Sequence, residues 1–450
     1  MTAWLPGSDF GVAEVALDEP VVPAGSRLSL AFVCAGDPTN VLTWSGTPLH
    51  MLTALREEFD VKLVIRRPWA PWFDITRRVV RRVTRGAIDI YWWPAVAAWG
   101  ARRTIAEVSA SDCDITFAVA ITPICAELTK RGPTIFVSDA TLASMANYYP
   151  RHKALAPWLK KAAAALESFC IQNARAALFP SEWASRSAVR DHGGSQDRVV
   201  EIAWGANLVA DEAIRPESRS EKEWRLLFVG ADWSRKGGDI VLETVSEMRR
   251  RGYSVHVDVV GSCPPSAAEV EGVTYHGFLD KNVPADDERM KGLFATAHVF
   301  FLPTQFEALG IVFAEAASYA LPTVSYRTGG VPSIVHAGQT GVLLEEGASA
   351  AAFADELIAL LSDRRRYVRM SYAALAASRE ELNWAAWAVG VREMVEEKLG
   401  VQRPAALVAA ARRRAVAACG TTFHWRRSAD DDEPMSSQRR TGTGEIAGAR

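Results

Sequence analysis

Histidine and cysteine are scarce in these 450 residues: eight of the first, six of the second, and no C-x-x-C pair among Cys34, Cys113, Cys125, Cys170, Cys263 and Cys419. So few ligands at such spacings build neither a disulfide framework nor a structural zinc site, and a reducing cytoplasm is the compartment that fits. Net positive charge is missing as well. A formal charge of -2 is far from the cationic excess with which proteins neutralise phosphate backbones, so no nucleic-acid partner is expected. Long hydrophobic runs are the third absence. The longest, ITFAVAITPICA from Ile115, is interrupted by Pro123 and falls short of the roughly 20 residues a membrane helix requires. The first residues, MTAWLPGSDFGVAEVALDEP, carry acids where a secretory signal has positive charge. A soluble, cytoplasmic chain is expected.

What is present is ordinary globular composition, 49% hydrophobic and 23% charged, in a chain long enough for two domains. Short β-branched runs alternate with helical patterns: LSLAFV, VKLVI, DITFAVA, PTIFV, RAALFP and VVEIAW before Gly205, then RLLFVG, VHVDVVG, HVFFLP and PTVSY after it. That alternation predicts α/β architecture with parallel sheets covered by helices. The expected division is an extension over 1–27, a first doubly wound domain over 28–205, a linker over 206–224 and a second doubly wound domain over 225–383. A helix over 384–402 is expected to pack back towards the first domain. A tail over 403–450 follows, its composition unable to bury a core and disorder expected from about 428.

In open α/β sheets, ligands sit outside the carboxyl ends of the strands, so the informative residues are those that follow a strand. After HVFFLP comes TQFEALGIVFAEAASYA. Here a loop holding Glu307 enters a helix near Ala308, Leu309 and Gly310, and Glu315 lies on that same helix. Free N–H groups at Gly310, Ile311 and Val312, backed by the helix dipole, predict an anion site. A carboxylate accepts paired hydrogen bonds from a vicinal diol, so two glutamates suit a hexose and a ribose, which together make a nucleotide sugar. After RLLFVG comes ADWSRKGG, where Arg235 and Lys236 supply cations for a diphosphate and Gly230, Gly237 and Gly238 allow close approach.

The first domain adds Gly46 ahead of a helix and Asp139 after PTIFV. The formal D-x-D of Asp112 to Asp114 precedes a strand, at the end facing away from the ligand crevice, so it reads as a strand-start cap; no metal is expected. The DDD at Asp430 to Asp432 lies in the tail. RRPWAPWFDITRRVVRRVTRG holds seven arginines and one acid. Val79, Val80 and Val83 are expected to pack inward; the arginines that flank them read as a solvated helical face, with a peripheral membrane contact through Trp69, Trp72, Arg77, Arg78, Arg81 and Arg82 as the alternative.

Taken together, FVGADWSRKGG, the HGF at His276 to Phe278, FLPTQFEALGIVFAEAASYALPTVSYRTGGVPSIV and the GVLL at Gly341 resemble the retaining group 1 (family 4) glycosyltransferases, over roughly residues 28 to 398. The resemblance implies the GT-B fold, two Rossmann-like domains facing a cleft. It implies a hexosyltransferase that uses a nucleotide diphosphate sugar as co-substrate, needs no other cofactor, and acts on a glycan, polysaccharide or glycolipid hydroxyl. It gives Glu307 the donor sugar, Glu315 the ribose, Lys236 the diphosphate and the backbone of Gly277, Phe278 and Leu279 the base. Many members carry a histidine near Ser138 or Asp139 and a further cation just after Gly230; here Asp139 is assigned the sugar-positioning role, and Ala231 and Asp232 stand where the cation is absent. A non-catalytic GT-B subunit, and an epimerase or phosphorylase on the same fold, are the alternatives.

Overall fold

The computed structural model describes residues 27–401 apart from 147, 149–153, 211–213, 221 and 265–269. The expected extension, save Arg27, and the tail with its DDD lie outside the described residues.

Two six-stranded sheets form, and every strand pairing in them is parallel. The first holds β1 (Ser29–Cys34), β2 (Asp60–Ile65), β3 (Ile115–Val119), β4 (Thr134–Val137), β5 (Ala176–Phe179) and β6 (Val199–Glu201), in the order β2-β1-β3-β4-β5-β6. The second holds β7 (Trp224–Gly230), β8 (Val255–Gly261), β9 (Val273–Tyr275), β10 (Val299–Phe301), β11 (Thr323–Tyr326) and β12 (Gly341–Leu344), in the order β12-β11-β10-β7-β8-β9. In each sheet the chain starts at an interior strand, builds to one edge and then crosses to build the other. That reversal leaves a crevice at the carboxyl ends of the strands.

The inner strands are apolar on both faces because helices cover both. Along β1 the alternation is resolved: Leu30, Phe32 and Cys34 face one cluster of buried side chains, and Ala31 and Val33 face another. The first of these clusters continues without a break into the second domain through Trp204, Ala206 and Trp387.

The stretch after Gly205 is polar in sequence yet held firmly. Ala206 N–H bonds Leu382 O at 3.0 Å. The buried guanidinium of Arg219 donates to Tyr319 O at 2.6 Å, Ala320 O at 2.9 Å and the Tyr367 hydroxyl at 2.8 Å. The helix Trp384–Lys398 lies on the first-domain helix Thr47–Glu58. Arg392 is buried there between Glu58 and Glu396, which satisfies a charge that would otherwise be costly to enclose. The Trp387 ring meets Phe117 edge-on at 5.9 Å.

Candidate active site

The residues singled out in the second domain follow strands at one end of its sheet. Lys236 comes after β7, Gly277 to Leu279 after β9, and Glu307 after β10. First-domain segments that also follow strands meet them: Gly46 after β1, Asp139 and Tyr148 after β4, and Glu182, whose N–H bonds Ser333 Oγ at 3.1 Å, after β5.

Arg235 and Lys236 occupy a one-turn helix, Trp233–Lys236, rather than an open loop, because Asp232 caps it by accepting from Arg235 N–H at 3.2 Å. Gly237 then turns the chain at a φ of +78°; a Cβ there would fall 2.1 Å from Pro303 O. Only glycine permits both the left-handed turn and this approach. The result carries Lys236 across the end of β7 to the Glu307 loop. Its ammonium pairs directly with Glu307 Oε2. Arg235 donates to Phe306 O at 2.8 Å and stands 3.6 Å from the same carboxylate oxygen. Glu307 and Lys236 are each 8% exposed. One buried carboxylate thus holds two cations at the strand ends.

Gly310, at φ +81°, caps the helix Ile311–Ser318, which begins one residue past the expected first N–H. Ala308 and Leu309 are buried beneath the turn and Ile311 is half-buried at its start. The helix is buried nearly all round, and Glu315, 4% exposed, resolves its charge by accepting from Lys281 Nζ at 2.7 Å. His50 approaches from the first domain: burial first, then the Lys281 ammonium, pushes its pKa down, while Glu315 opposes. Its ring stacks on Trp384 at 6.2 Å.

At the end of β9, His276 is fixed by Asp258, 2.7 Å from its Nε2. Gly277 O accepts from Gly261 N–H at 2.9 Å, Leu279 is buried, and Phe278 stands out into solvent. Gly230 ends β7 beside Gly261 of β8.

On the facing side, Tyr148 reaches across. Its hydroxyl accepts from Glu307 N–H at 3.0 Å and lies 2.5 Å from Thr328 Oγ1. Thr328 in turn is 2.6 Å from Glu346 Oε1, so its proton points there and the tyrosine proton goes to Thr328. Gly329 makes the approach possible: a Cβ there would lie 1.9 Å from Glu307 O and 2.8 Å from the Tyr148 oxygen. Asp139 is half-buried after β4. It helps raise Glu167, whose carboxyl is pushed up to about 8 chiefly by burial and which accepts from Leu142 N–H at 2.5 Å. Gly46, at φ +84°, caps the helix Thr47–Glu58 behind Trp44 and Ser45, both also at positive φ. Asn207 ties this turn down, donating to Ser45 O at 2.8 Å and accepting from Trp384 Nε1 at 3.1 Å. Beside it a cavity of about 320 Å³ opens between Cys34, Gly36, Thr43, Trp44, Pro48 and Ala120.

The structure therefore joins Glu307, Lys236 and Arg235 in one cluster and adds three groups the sequence reading gave no role: Lys281, Tyr148 and His50. Lys281 follows HGFLD closely enough that a lone cation after that motif was a usable signal. Tyr148 and His50 act across the domains, where no local spacing announces them.

Elsewhere, Asp114 accepts from Ser29 N–H and Oγ at 2.6 Å each, clipping the amino ends of β1 and β3, away from the crevice. Among the described residues no three His, Cys, Asp or Glu side chains converge as metal ligands. The basic helix Pro71–Val83 corrects the expectation made for it. Trp69 is buried, stacked on Phe73 at 4.3 Å, and so is no surface contact. Arg77 turns inward to the buried Asp89 at 2.7 Å. Because Phe73 and Arg77 define the inner face, Val79 and Val83 point to solvent and only Val80 is half-buried.

Residues 223–363 match the model of a family described as glycosyl transferases group 1. Over 227 residues the chain is 27% identical to the D-inositol 3-phosphate glycosyltransferase of Corynebacterium efficiens, covering 46% of this chain and 53% of that protein. Over 162 residues it is 31% identical to the GDP-mannose-dependent alpha-(1-6)-phosphatidylinositol monomannoside mannosyltransferase of Mycolicibacterium smegmatis, covering 33% and 42%. The chain spans about half the length of the curated relatives it matches. Sucrose-phosphate synthase from Thermosynechococcus elongatus aligns with a TM-score of 0.61 over 84% of this chain and all of that one, at 15% identity, a likeness of fold. The chain has the GT-B fold, and the part of it that matches the group 1 glycosyltransferase model lies in its second domain.

Proposed function

We propose that the protein transfers a hexose from a nucleoside diphosphate sugar to a hydroxyl acceptor. What supports the reading is the meeting of Lys236, Arg235 and Glu307 at the strand ends, with Glu307 just ahead of Gly310, which caps the helix Ile311–Ser318. Two cations and a helix N-terminus are what a departing diphosphate requires, and stabilising charge that develops in the transition state is commonly the largest catalytic effect.

In this reading the diphosphate takes Lys236 and Arg235 from Glu307, which frees the carboxylate to accept from hexose hydroxyls. Glu315 accepts from the ribose diol with its second oxygen, the backbone at Gly277 to Leu279 meets the base, and Gly46 lets the donor phosphate approach the first domain. Asp139 helps position the sugar. The acceptor oxygen bonds to the anomeric carbon as the bond from that carbon to the diphosphate oxygen breaks, and the acceptor proton passes to the departing phosphate. Retention of configuration and independence of metal belong to this proposal. So does an acceptor that is a glycan or lipid-linked molecule, with the chain working in the cytoplasm or at the inner face of a membrane.

The test is to incubate the full chain with UDP-, GDP- and ADP-hexoses in EDTA and measure nucleoside diphosphate release. Release from one donor, abolished in Glu307→Ala and Lys236→Ala, supports the reading. Binding without turnover by any donor or acceptor extract points to the non-catalytic subunit instead, and conversion of the donor without acceptor points to an epimerase.

A further inference from the structure

One enclosed carboxyl of the first domain stands outside the cleft. Glu167, on the helix Pro157–Asn173, is 2% exposed. An acidic side chain is a costly occupant of such a place, which an apolar one would fill without desolvation. What it supplies is an acceptor for one backbone donor, Leu142 N–H, at 2.5 Å. His192 stands 3.2 Å from the same carboxyl oxygen, but its Nε2 makes no hydrogen bond and its Nδ1 is taken up by Ser168 at 2.9 Å. Burial pushes the Glu167 carboxyl up to about 8, so at neutral pH it accepts as a protonated acid does, through one oxygen.

A second bond falls on the adjacent residue. Thr141, fully buried, lies 2.6 Å from Ser187 Oγ, on the helix Glu182–His192. The Ser187 proton goes to Asp191 at 2.7 Å, so the Thr141 hydroxyl donates to Ser187. Two helices thus clip two consecutive residues. Thr141 also closes the first turn of the short helix Leu142–Ala146, its Oγ1 accepting from Ser144 N–H at 3.1 Å.

That short helix leads to the cleft. Tyr148 follows it, tied to it by a bond from its N–H to Met145 O at 3.2 Å. The Tyr148 hydroxyl then crosses to the second domain and accepts from Glu307 N–H at 3.0 Å. Its ring lies 5.1 Å from Phe306 and 5.2 Å from Trp183, and Trp183 belongs to the same helix as Ser187. The contacts therefore run without a gap from Glu167 to the Glu307 backbone.

We propose that Glu167 is a positioning residue for the cleft: by holding Leu142 N–H it fixes the short helix Leu142–Ala146, and with it the reach of Tyr148 to Glu307. An enclosed backbone N–H left without an acceptor costs at least as much as the bond it lost, so the short helix shifts rather than keep it unmet. Glutamine reaches as far and offers the same acceptor oxygen; alanine offers none. The consequence for turnover rests on the transferase reading, whereas the positioning does not.

The experiment is amide hydrogen exchange on the full chain, comparing wild type with Glu167→Ala and Glu167→Gln, together with nucleoside diphosphate release from the donor the wild type uses. Glu167→Ala should speed exchange about tenfold at Leu142 to Ala146 and at Glu307, while β1 and β3 keep wild-type rates. Its kcat should fall about tenfold with donor KM unchanged. Glu167→Gln should restore both. Ser187→Ala removes the other clip and leaves the carboxyl in place; it should quicken the same two segments to a smaller extent, and decides the matter if Glu167→Ala does not fold. Exchange quickened evenly through the first domain, protection at Glu307 untouched by either truncation, a glutamine variant as impaired as the alanine one, or an unchanged kcat in Glu167→Ala overturns the proposal. A wild type that turns over no donor defeats the transferase reading alone, because the exchange comparison still shows whether Glu167 holds Tyr148 in place.

Discussion

The two domains present unlike edges to the cleft they share. The second domain offers charge: Lys236 and Arg235 gathered on Glu307, and Lys281 on Glu315, each carboxylate nearly buried at a strand end. The first domain offers shape and neutral hydrogen bonds: the Tyr148 hydroxyl, the strained turn at Trp44 to Gly46 and an apolar-walled cavity. On the proposed reading, a diphosphate carries charge that any fold must answer with cations, so that edge is constrained by electrostatics, whereas an acceptor hydroxyl imposes no such demand and leaves its edge free to vary in form.

Removing the charge on the second domain is expected to have the largest effect. Lys236→Ala leaves Glu307 buried beside Arg235 alone and removes a cation from the leaving group; turnover should fall about 10²–10³-fold, measured by nucleoside diphosphate release. If activity survives, the contrast between the edges is misdrawn. Glu315→Ala should act on binding, raising the donor KM about ten- to a hundredfold with little change in kcat, because a lost bond to a charged group is worth roughly 1.5–3 kcal/mol. On the first domain, Tyr148→Phe removes one neutral hydroxyl from Glu307 N–H and Thr328. A loss of about three- to tenfold in kcat is expected from the 0.5–1.5 kcal/mol of such a bond, with donor KM held. A drop as large as that of Lys236→Ala would make Tyr148 part of the chemistry.

The smallest expected effect concerns stability. Glu167 in the folded chain is raised from the ordinary 4.5 to about 8, so between those values the folded state holds a proton that the unfolded state has released. Stability attributable to this group therefore falls as pH rises from about 4.5 to about 8 and is level above. His192, 3.2 Å away and pushed down by burial, contributes the opposite slope. Melting curves of wild type and Glu167→Gln isolate the first: the variant should gain on the wild type across that interval. Parallel curves would show the carboxyl to be ionised.

The same contrast explains what the sequence disclosed. Parallel strands buried on both faces read as continuous apolar runs, so ten of the twelve were legible; β9 (VTY) and β12 (GVLL) are short edge strands without that signal. Glu307, Lys236 and Glu315 were legible because charge in an apolar, glycine-bearing context needs a partner. Their partners were less so, since Lys281 and Tyr148 are brought in by tertiary folding. The basic helix was misjudged for a related reason: valines were expected inside, but the buried Asp89 draws Arg77 inward and rolls Val79 and Val83 to solvent.

The most direct test of the central claim is the melting temperature of the full chain in EDTA against a panel of nucleotide sugars, compared with Lys236→Ala. The reading predicts that one donor raises the melting temperature of the wild type and leaves the variant unmoved, since ligand bound only by the folded state stabilises it. A wild type indifferent to every nucleotide sugar, or a variant that responds equally, would contradict a diphosphate site at Lys236 and Glu307.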